Sequence, residues 1–195
     1  MTAARAVVSG LVAAALCAAA MWMWHLQPDL ETHSMNPLRT YGRIGAIVTN
    51  DEFSIRVDRY DVATSLTTSS LSSGAHVTNG LFLVVRFQAR AERRPYTMGH
   101  VRLETRGGLT YTEGGRIGIF SEADETYQPM VWGSGTLVFE LPKDRLAGAR
   151  VVVGQRAATA VNDLSAENVI DLGIDEAKAA RLAARPAAYQ LGNGS

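Results

Sequence analysis

The sequence predicts an all-β protein, an antiparallel β-sandwich preceded by one N-terminal membrane helix and followed by one short C-terminal helix. Three observations support this fold class. Residues 6–24 form an uncharged apolar run. Beyond residue 43, about seven to nine short apolar or alternating runs recur at roughly ten-residue spacing, separated by Gly, Pro and Asn turns. Only residues 175–185 have the composition of a helix. These patterns exclude a fold of alternating strands and helices and favour a sandwich.

These patterns divide the chain into five segments. We expect a cytoplasmic N-terminus at 1–5, a transmembrane anchor or uncleaved signal at 6–24, a linker at 25–42, the β-sandwich at 43–173, and a C-terminal helix and tail at 174–195. The sandwich segment is long enough to bury a core of its own.

The apolar run at 6–24 has the length of a membrane span. Its 19 residues form a helix of about 28 Å, close to the hydrocarbon thickness of a bilayer. Arg5 precedes the run, whereas Asp29 and Glu31 follow it and the next basic residue is Arg39. Basic residues stay in the cytoplasm, so we expect a single-pass protein of the cell membrane with its C-terminal domain outside.

Two alternatives lead to export of the same domain. Ala18, Ala19 and Ala20 form an acceptable cleavage site for a secretory signal, although Trp22 and Trp24 suit a membrane interface. Lipid attachment at Cys17 is the second alternative, disfavoured by the large Leu16 before it.

Composition excludes several functions. Lys plus Arg equal Asp plus Glu at 19 each, so no net positive field would recruit nucleic acid. The only cysteine is Cys17, so the exported domain has no internal disulfide, no thiol catalysis and no cysteine-based metal site. We predict no cofactor and no metal.

The strand predictions rest on alternation. Residues 53–57 alternate and then slip in phase, which predicts a bulge near Asp58 and Arg59. Residues 81–89 begin apolar on both faces, as a central strand does, and residues 101–111 form a hairpin around Gly107-Gly108. Further strands are predicted at 136–141, 151–153 and 169–172, a mobile loop at 64–74, and an inward orientation for Leu83, Val85, Phe87 and Phe139.

Catalytic and metal-binding patterns are sparse. His76 and His100 have no acid or nucleophile near them in sequence, and His25 and His33 lack the spacing of metal ligands. Asp58 and Asp61 are too few for a calcium site, which takes six or more oxygens. We therefore predict that the protein is not an enzyme, with a hydrolase as the weakest alternative.

A family resemblance follows from an ordered set of motifs. These are Asn79-Gly80 before residues 81–85, Leu103 with Gly107, Tyr111, Gln128-Pro129, Gly133, and residues 138–142 ending in Pro142. Over residues 45–153 the chain resembles the telokin-like, immunoglobulin-fold family of bacterial envelope domains, which is also similar to secreted immunogenic β-sandwich proteins of actinobacteria. The family's usual Pro-Gly is Pro129-Met130 here. The resemblance implies an immunoglobulin-like sandwich that acts as an exported or membrane-anchored interaction module, and it implies no catalytic residues.

The candidate partner-binding residues are therefore exposed loop side chains. Tyr127, Met130 and Trp132 belong to the loop 120–132, and Arg93 and Arg94 form a second candidate in a turn. The expected partner is another envelope membrane protein. Two alternatives remain open: Tyr127 and Trp132 could stack on sugar in a carbohydrate-binding module, or they could simply cover the end of the sandwich.

Overall fold

The computed structural model describes residues 13, 15–22, 37–68, 75–114, 126–155 and 166–191. The chain divides into two compact units, Met1–Asn36 and Pro37–Ser195.

In the first unit, the described part of the predicted span is helical, at residues 13 and 15–22. Within these described residues, no helix is both long enough and apolar enough to cross a bilayer. The remainder of the predicted span, and the linker histidines His25 and His33, lie outside the described residues.

The second unit is a β-sandwich of eleven strands in two sheets, with one short 3-10 helix and one α-helix among the described residues. The strands are β1 (Arg39–Arg43), β2 (Ile47–Thr49), β3 (Phe53–Thr68), β4 (His76–Ala91), β5 (Tyr96–Glu104), β6 (Thr110–Thr112), β7 (Thr126–Tyr127), β8 (Gly133–Leu141), β9 (Arg150–Gln155), β10 (Glu167–Asp171) and β11 (Ala187–Leu191); the 3-10 helix is Lys143–Arg145 and α1 is Glu176–Ala184.

The strand order explains how distant segments meet. One sheet has the order β1-β10-β9-β5-β6, with β7 also paired to β5, and the other has the order β11-β3-β4-β8, with β2 also paired to β3. Most neighbours are antiparallel, as predicted, but β1 runs parallel to β10 and β11 runs parallel to β3. The sandwich is therefore mixed, with both parallel pairs formed by the terminal strands of the unit.

Strands occur in three segments for which the sequence predicted none. β1 occupies Arg39–Arg43, at the end of the segment assigned to the linker, and β11 occupies part of the C-terminal tail. The predicted loop 64–74 begins with strand, because β3 continues to Thr68 and buries Leu66. Each of these segments is short or polar, so its strand conformation depends on a partner strand and not on its own alternation.

Other local predictions are confirmed. The register of β3 against β4 shifts between Val57 and Arg59, where the bulge was expected. Gly107 and Gly108 have φ of 87° and 77°, the conformation that the tight β5–β6 hairpin requires. α1 begins after Asp175, whose side chain accepts a hydrogen bond from Lys178 N at 2.7 Å.

The core lies between the sheets. Leu83, Val85, Phe87 and Phe139 are each at most 1% exposed and belong to one cluster with apolar side chains of both sheets, as predicted. The alternate residues of β4 are also buried: Phe82 and Val84 form a second cluster with members of β3 and β8. β4 is therefore a central strand of its sheet, as the apolar residues on both of its faces predicted.

An ion-pair network fixes β1 on its sheet. Glu167 of β10 is 5% exposed and accepts from Arg39 Nε at 3.1 Å and from Arg102 Nη1 at 2.7 Å. Arg39 also reaches Glu104 of β5 at 2.9 Å. Because Glu167 is nearly buried and fully paired, removing either arginine would leave a poorly solvated charge.

The buried position of Phe139 leads to a stability prediction. Phe139→Ala should lower the free energy of unfolding by about 3–5 kcal/mol, because it leaves a cavity in the core. Denaturant unfolding followed by tryptophan fluorescence measures this loss. Val77→Ala is the matched control, since Val77 is 74% exposed and its truncation should cost less than about 0.5 kcal/mol. A loss below about 1 kcal/mol for Phe139→Ala would contradict the position of Phe139 in the core.

Candidate functional site

Three turns meet at one end of the sandwich, and together we call them the loop end. They are residues 50–52 between β2 and β3, residues 92–95 between β4 and β5, and residues 128–132 between β7 and β8. Backbone hydrogen bonds join them: Glu92 N donates to Glu52 O at 2.9 Å, and Met130 N donates to Ala91 O at 3.2 Å. The two sequence candidates, Arg93-Arg94 and the residues around Met130, therefore lie on one surface.

The loop end rests on a layer of buried aromatic rings. Phe53 at the start of β3 stacks on Tyr96 at the start of β5, with ring centroids 4.1 Å apart and an interplanar angle of 20°. Tyr127 packs beside Phe87, with centroids 6.3 Å apart. Because Phe53 and Tyr96 belong to different sheets, their stacking fixes the relative positions of the turns that precede these residues.

Tyr127 is not an exposed anchor. It is 4% exposed, which agrees with the alternative in which Tyr127 covers the end of the sandwich. The reason lies in β8, where a Cβ on Gly133 would approach the Tyr127 ring to 3.0 Å and a Cβ on Gly135 would approach the Phe87 ring to 2.5 Å. These two glycines leave the space that the Tyr127 ring occupies.

The exposed apolar part of the loop end is Met130, Val131 and Trp132. Met130 is 68% exposed, Val131 is 61% exposed and Trp132 is 37% exposed. The Arg90 guanidinium carbon lies 4.9 Å from the centroid of the Trp132 ring, so one face of this ring is already in contact with a cation. The sugar-stacking alternative is thereby limited to the other face of the Trp132 ring.

Met130 has an unusual backbone conformation. Its φ is 62°, and it is the one positive-φ residue other than glycine among the described residues. Val131 N donates to Gln128 O at 3.4 Å across the turn. Pro129 at the second position and positive φ at the third are the features of a type II turn, which normally takes Gly at the third position. The turn thus forms here with Met130 at the position that normally takes glycine.

Arg93 and Arg94 border a cavity that the sequence did not indicate. The cavity has a volume of about 380 Å³ and is lined by Asp51, Glu52, Arg93, Arg94, Pro95 and Tyr96. Burial raises the pKa of Glu52, nearby Arg94 opposes this rise, and Asp51 adds to it. The sequence did not single out Asp51 and Glu52, because their proximity to Arg93 and Arg94 depends on the β3–β4 register.

The remaining candidates do not converge. His76 begins β4 in one sheet, whereas His100 lies on β5 in the other. Asp58 accepts from Arg56 Nε at 2.7 Å. Within the described ranges, no group of three or more His, Cys, Asp and Glu side chains has the arrangement of a metal site.

The fold and site together define a β-sandwich with an assembled loop surface. No family model matches the chain, and no curated protein matches it by sequence. Among solved structures, the chain is similar to an uncharacterized β-sandwich protein from Clostridium difficile (TM-score 0.42, 9% identity, covering 70% of this chain and 95% of that one). It is also similar to the yjhA protein from Bacillus subtilis (TM-score 0.49, 11% identity, 67% and 98%) and to MPT63, a secreted protein from Mycobacterium tuberculosis (TM-score 0.44, 12% identity, 69% and 97%). The two packed sheets themselves establish the β-sandwich class.

The burial of the two aromatic residues distinguishes their roles. Tyr127→Ala should reduce the free energy of unfolding by about 3–5 kcal/mol, because its ring fills core space above Phe87. Trp132→Ala should cost no more than about 2 kcal/mol, from the loss of its contact with Arg90 and partial burial. Thermal melts of both variants measure the difference, and equal losses would show that the two side chains are equally structural.

Proposed function

We propose that this chain is a membrane-tethered, extracytoplasmic interaction module of the cell envelope, without enzymatic activity, and that its loop end binds another envelope protein. In this proposal residues 6–24 form the tether, and the sandwich belongs with the telokin-like, immunoglobulin-fold domains that its motifs resemble.

The conformation of Met130 is the observation that carries the proposal. A residue other than glycine at positive φ costs of order 1 kcal/mol or more, and such strain is concentrated at functional sites. Met130 bears this cost while its side chain is 68% exposed and contributes little to the core. Glycine would satisfy the turn without strain, so the methionine side chain is best explained by a contact outside the chain.

The surroundings of Met130 suit a protein interface. Methionine and valine present a flexible apolar surface, and Arg93 and Arg94 supply charged groups on the same loop end. Backbone bonds to Ala91 and Glu52 hold these turns in place before any partner arrives, which reduces the entropy lost on binding.

The position of β1 favours a partner in the same membrane. β1 begins with Arg39, which pairs with Glu167 at the start of β10, and β5 begins at the same end with Tyr96. The polypeptide from the proposed tether therefore joins the sandwich at the loop end.

The binding test compares two variants of the full-length chain in native membranes. Met130→Gly removes the side chain and relieves the strained φ, so it should raise the free energy of unfolding by up to about 1 kcal/mol while reducing crosslinked partner at least about tenfold. Val77→Ala, an exposed control on β4, should change neither quantity. Partner recovery that is unchanged in Met130→Gly would contradict binding through the loop end.

The tether has a separate test. Full-length chain should stay in the membrane fraction after carbonate and high-salt washing, because a span of this length inserts irreversibly. Protease added outside should digest the sandwich domain. A soluble species that begins near Met21 would show a cleaved signal, and removal of Arg5 with two arginines placed after Trp24 should weaken the orientation.

A further inference from the structure

We infer that the cavity lined by Asp51, Glu52, Arg93, Arg94, Pro95 and Tyr96 is a binding site for a neutral polyhydroxylated ligand, a sugar unit. The inference stands independently of the protein partner, since it concerns the cavity and not the exposed Met130.

The cavity has walls that are fixed in advance. Asn50 Oδ1 accepts from Glu52 N and from Phe53 N, each at 2.9 Å, which locks the β2–β3 turn. Glu92 N donates to Glu52 O, and Ser54 Oγ donates to the Glu92 carboxylate, so the opposite turn is fixed as well. At about 380 Å³ the cavity falls within the range of roughly 300–1,000 Å³ that ligand pockets occupy.

Two polar atoms of the lining residues are buried without a partner. Glu52 Oε2 and Tyr96 Oη each have no hydrogen-bond partner in the part of the chain that the structure describes. Tyr96 is 2% exposed, and the lack of a partner for its hydroxyl is unusual because buried polar groups are nearly always paired. A ligand that donates to the carboxylate oxygen and bonds the phenol would satisfy both.

The charges of the lining exclude simple ions. Asp51 and Glu52 contribute two negative charges, and Arg93 and Arg94 contribute two positive charges. A metal cation would be repelled by the two arginines, and a phosphate by the two carboxylates. The cavity is therefore matched to a ligand without net charge that carries several hydrogen-bond donors and acceptors.

A sugar fits this requirement better than a zwitterion does. Each sugar hydroxyl both donates and accepts, so it can bond a carboxylate, a guanidinium or the Tyr96 hydroxyl wherever they lie. Carboxylates and guanidinium groups also offer two adjacent atoms for two neighbouring hydroxyls. An amino acid has only one ammonium and one carboxylate group, and the buried hydroxyl of Tyr96 would gain nothing from its charge. Pro95 supplies apolar surface for the carbon face of a sugar ring.

The test is calorimetric titration of the full-length chain in a polyoxyethylene detergent, because glycosidic detergents carry the proposed ligand chemistry themselves. The probes are maltose, cellobiose and N,N′-diacetylchitobiose, with glycine, inorganic phosphate and calcium chloride as comparisons. At least one sugar should bind saturably with a Kd on the order of 1 mM or tighter. Tighter binding of glycine, phosphate or calcium, or the absence of sugar binding, would overturn the inference.

Two variants locate the binding. Glu52→Gln and Tyr96→Phe should each weaken sugar binding at least about fivefold, because each removes one group that the ligand satisfies. Tyr96→Phe should leave the melting temperature unchanged or higher, since it removes a buried hydroxyl without a partner. The control is Asp144→Asn, an exposed carboxylate on the 3-10 helix, which should not alter binding. Sugar binding that survives both cavity variants would place the ligand elsewhere and refute the site.

Discussion

The stacking of Phe53 on Tyr96 is the contact on which the organisation of the loop end depends. Each ring begins a long strand, one in each sheet, and their parallel contact joins the sheets where the turns 50–52 and 92–95 leave the core. With no disulfide available, packing of this kind holds the two sheets together. The same contact places Asp51 and Glu52 beside Arg93 and Arg94, so core packing and the cavity are parts of one arrangement.

Local patterning predicted much of the fold. β4, β5, β8 and β9 were recognisable because their inward residues alternate or run apolar on both faces, and Gly107-Gly108 identified the hairpin between β5 and β6. β1 and β11 were missed for a common reason. Their sequences are short and carry little alternating apolar character, and they become strands by parallel pairing with residues far away in the chain. Such pairing is a property of the assembled sheet, which no local window contains.

The candidate site shows the same limit. Arg93-Arg94 and Met130 were each identified from the sequence, but as separate surfaces. No local pattern shows that Met130 N donates a hydrogen bond to Ala91 O. For Tyr127 both an exposed and a covering role were open, since the space left by Gly133 and Gly135 cannot be seen without the β4–β8 register. The sequence showed Met130 where glycine is usual after Pro129, but it did not show that the φ of Met130 is positive. The sequence therefore identified the candidate residues more reliably than it predicted whether their side chains are exposed.

The parallel pairing of β1 with β10 has a mechanical consequence. If tension on the polypeptide before Arg39 acts along the axis of β1, the five residue pairs from Arg39–Glu167 to Arg43–Asp171 bear the load in shear and together. Peeling one hydrogen bond at a time would need a pull across the sheet. The ion pairs of Arg39 with Glu167 and Glu104 lie at the end of β1 where the force would be applied, and they distribute it over β10 and β5. A pull along β1 therefore meets the combined resistance of these pairs before the edge strand separates from β10.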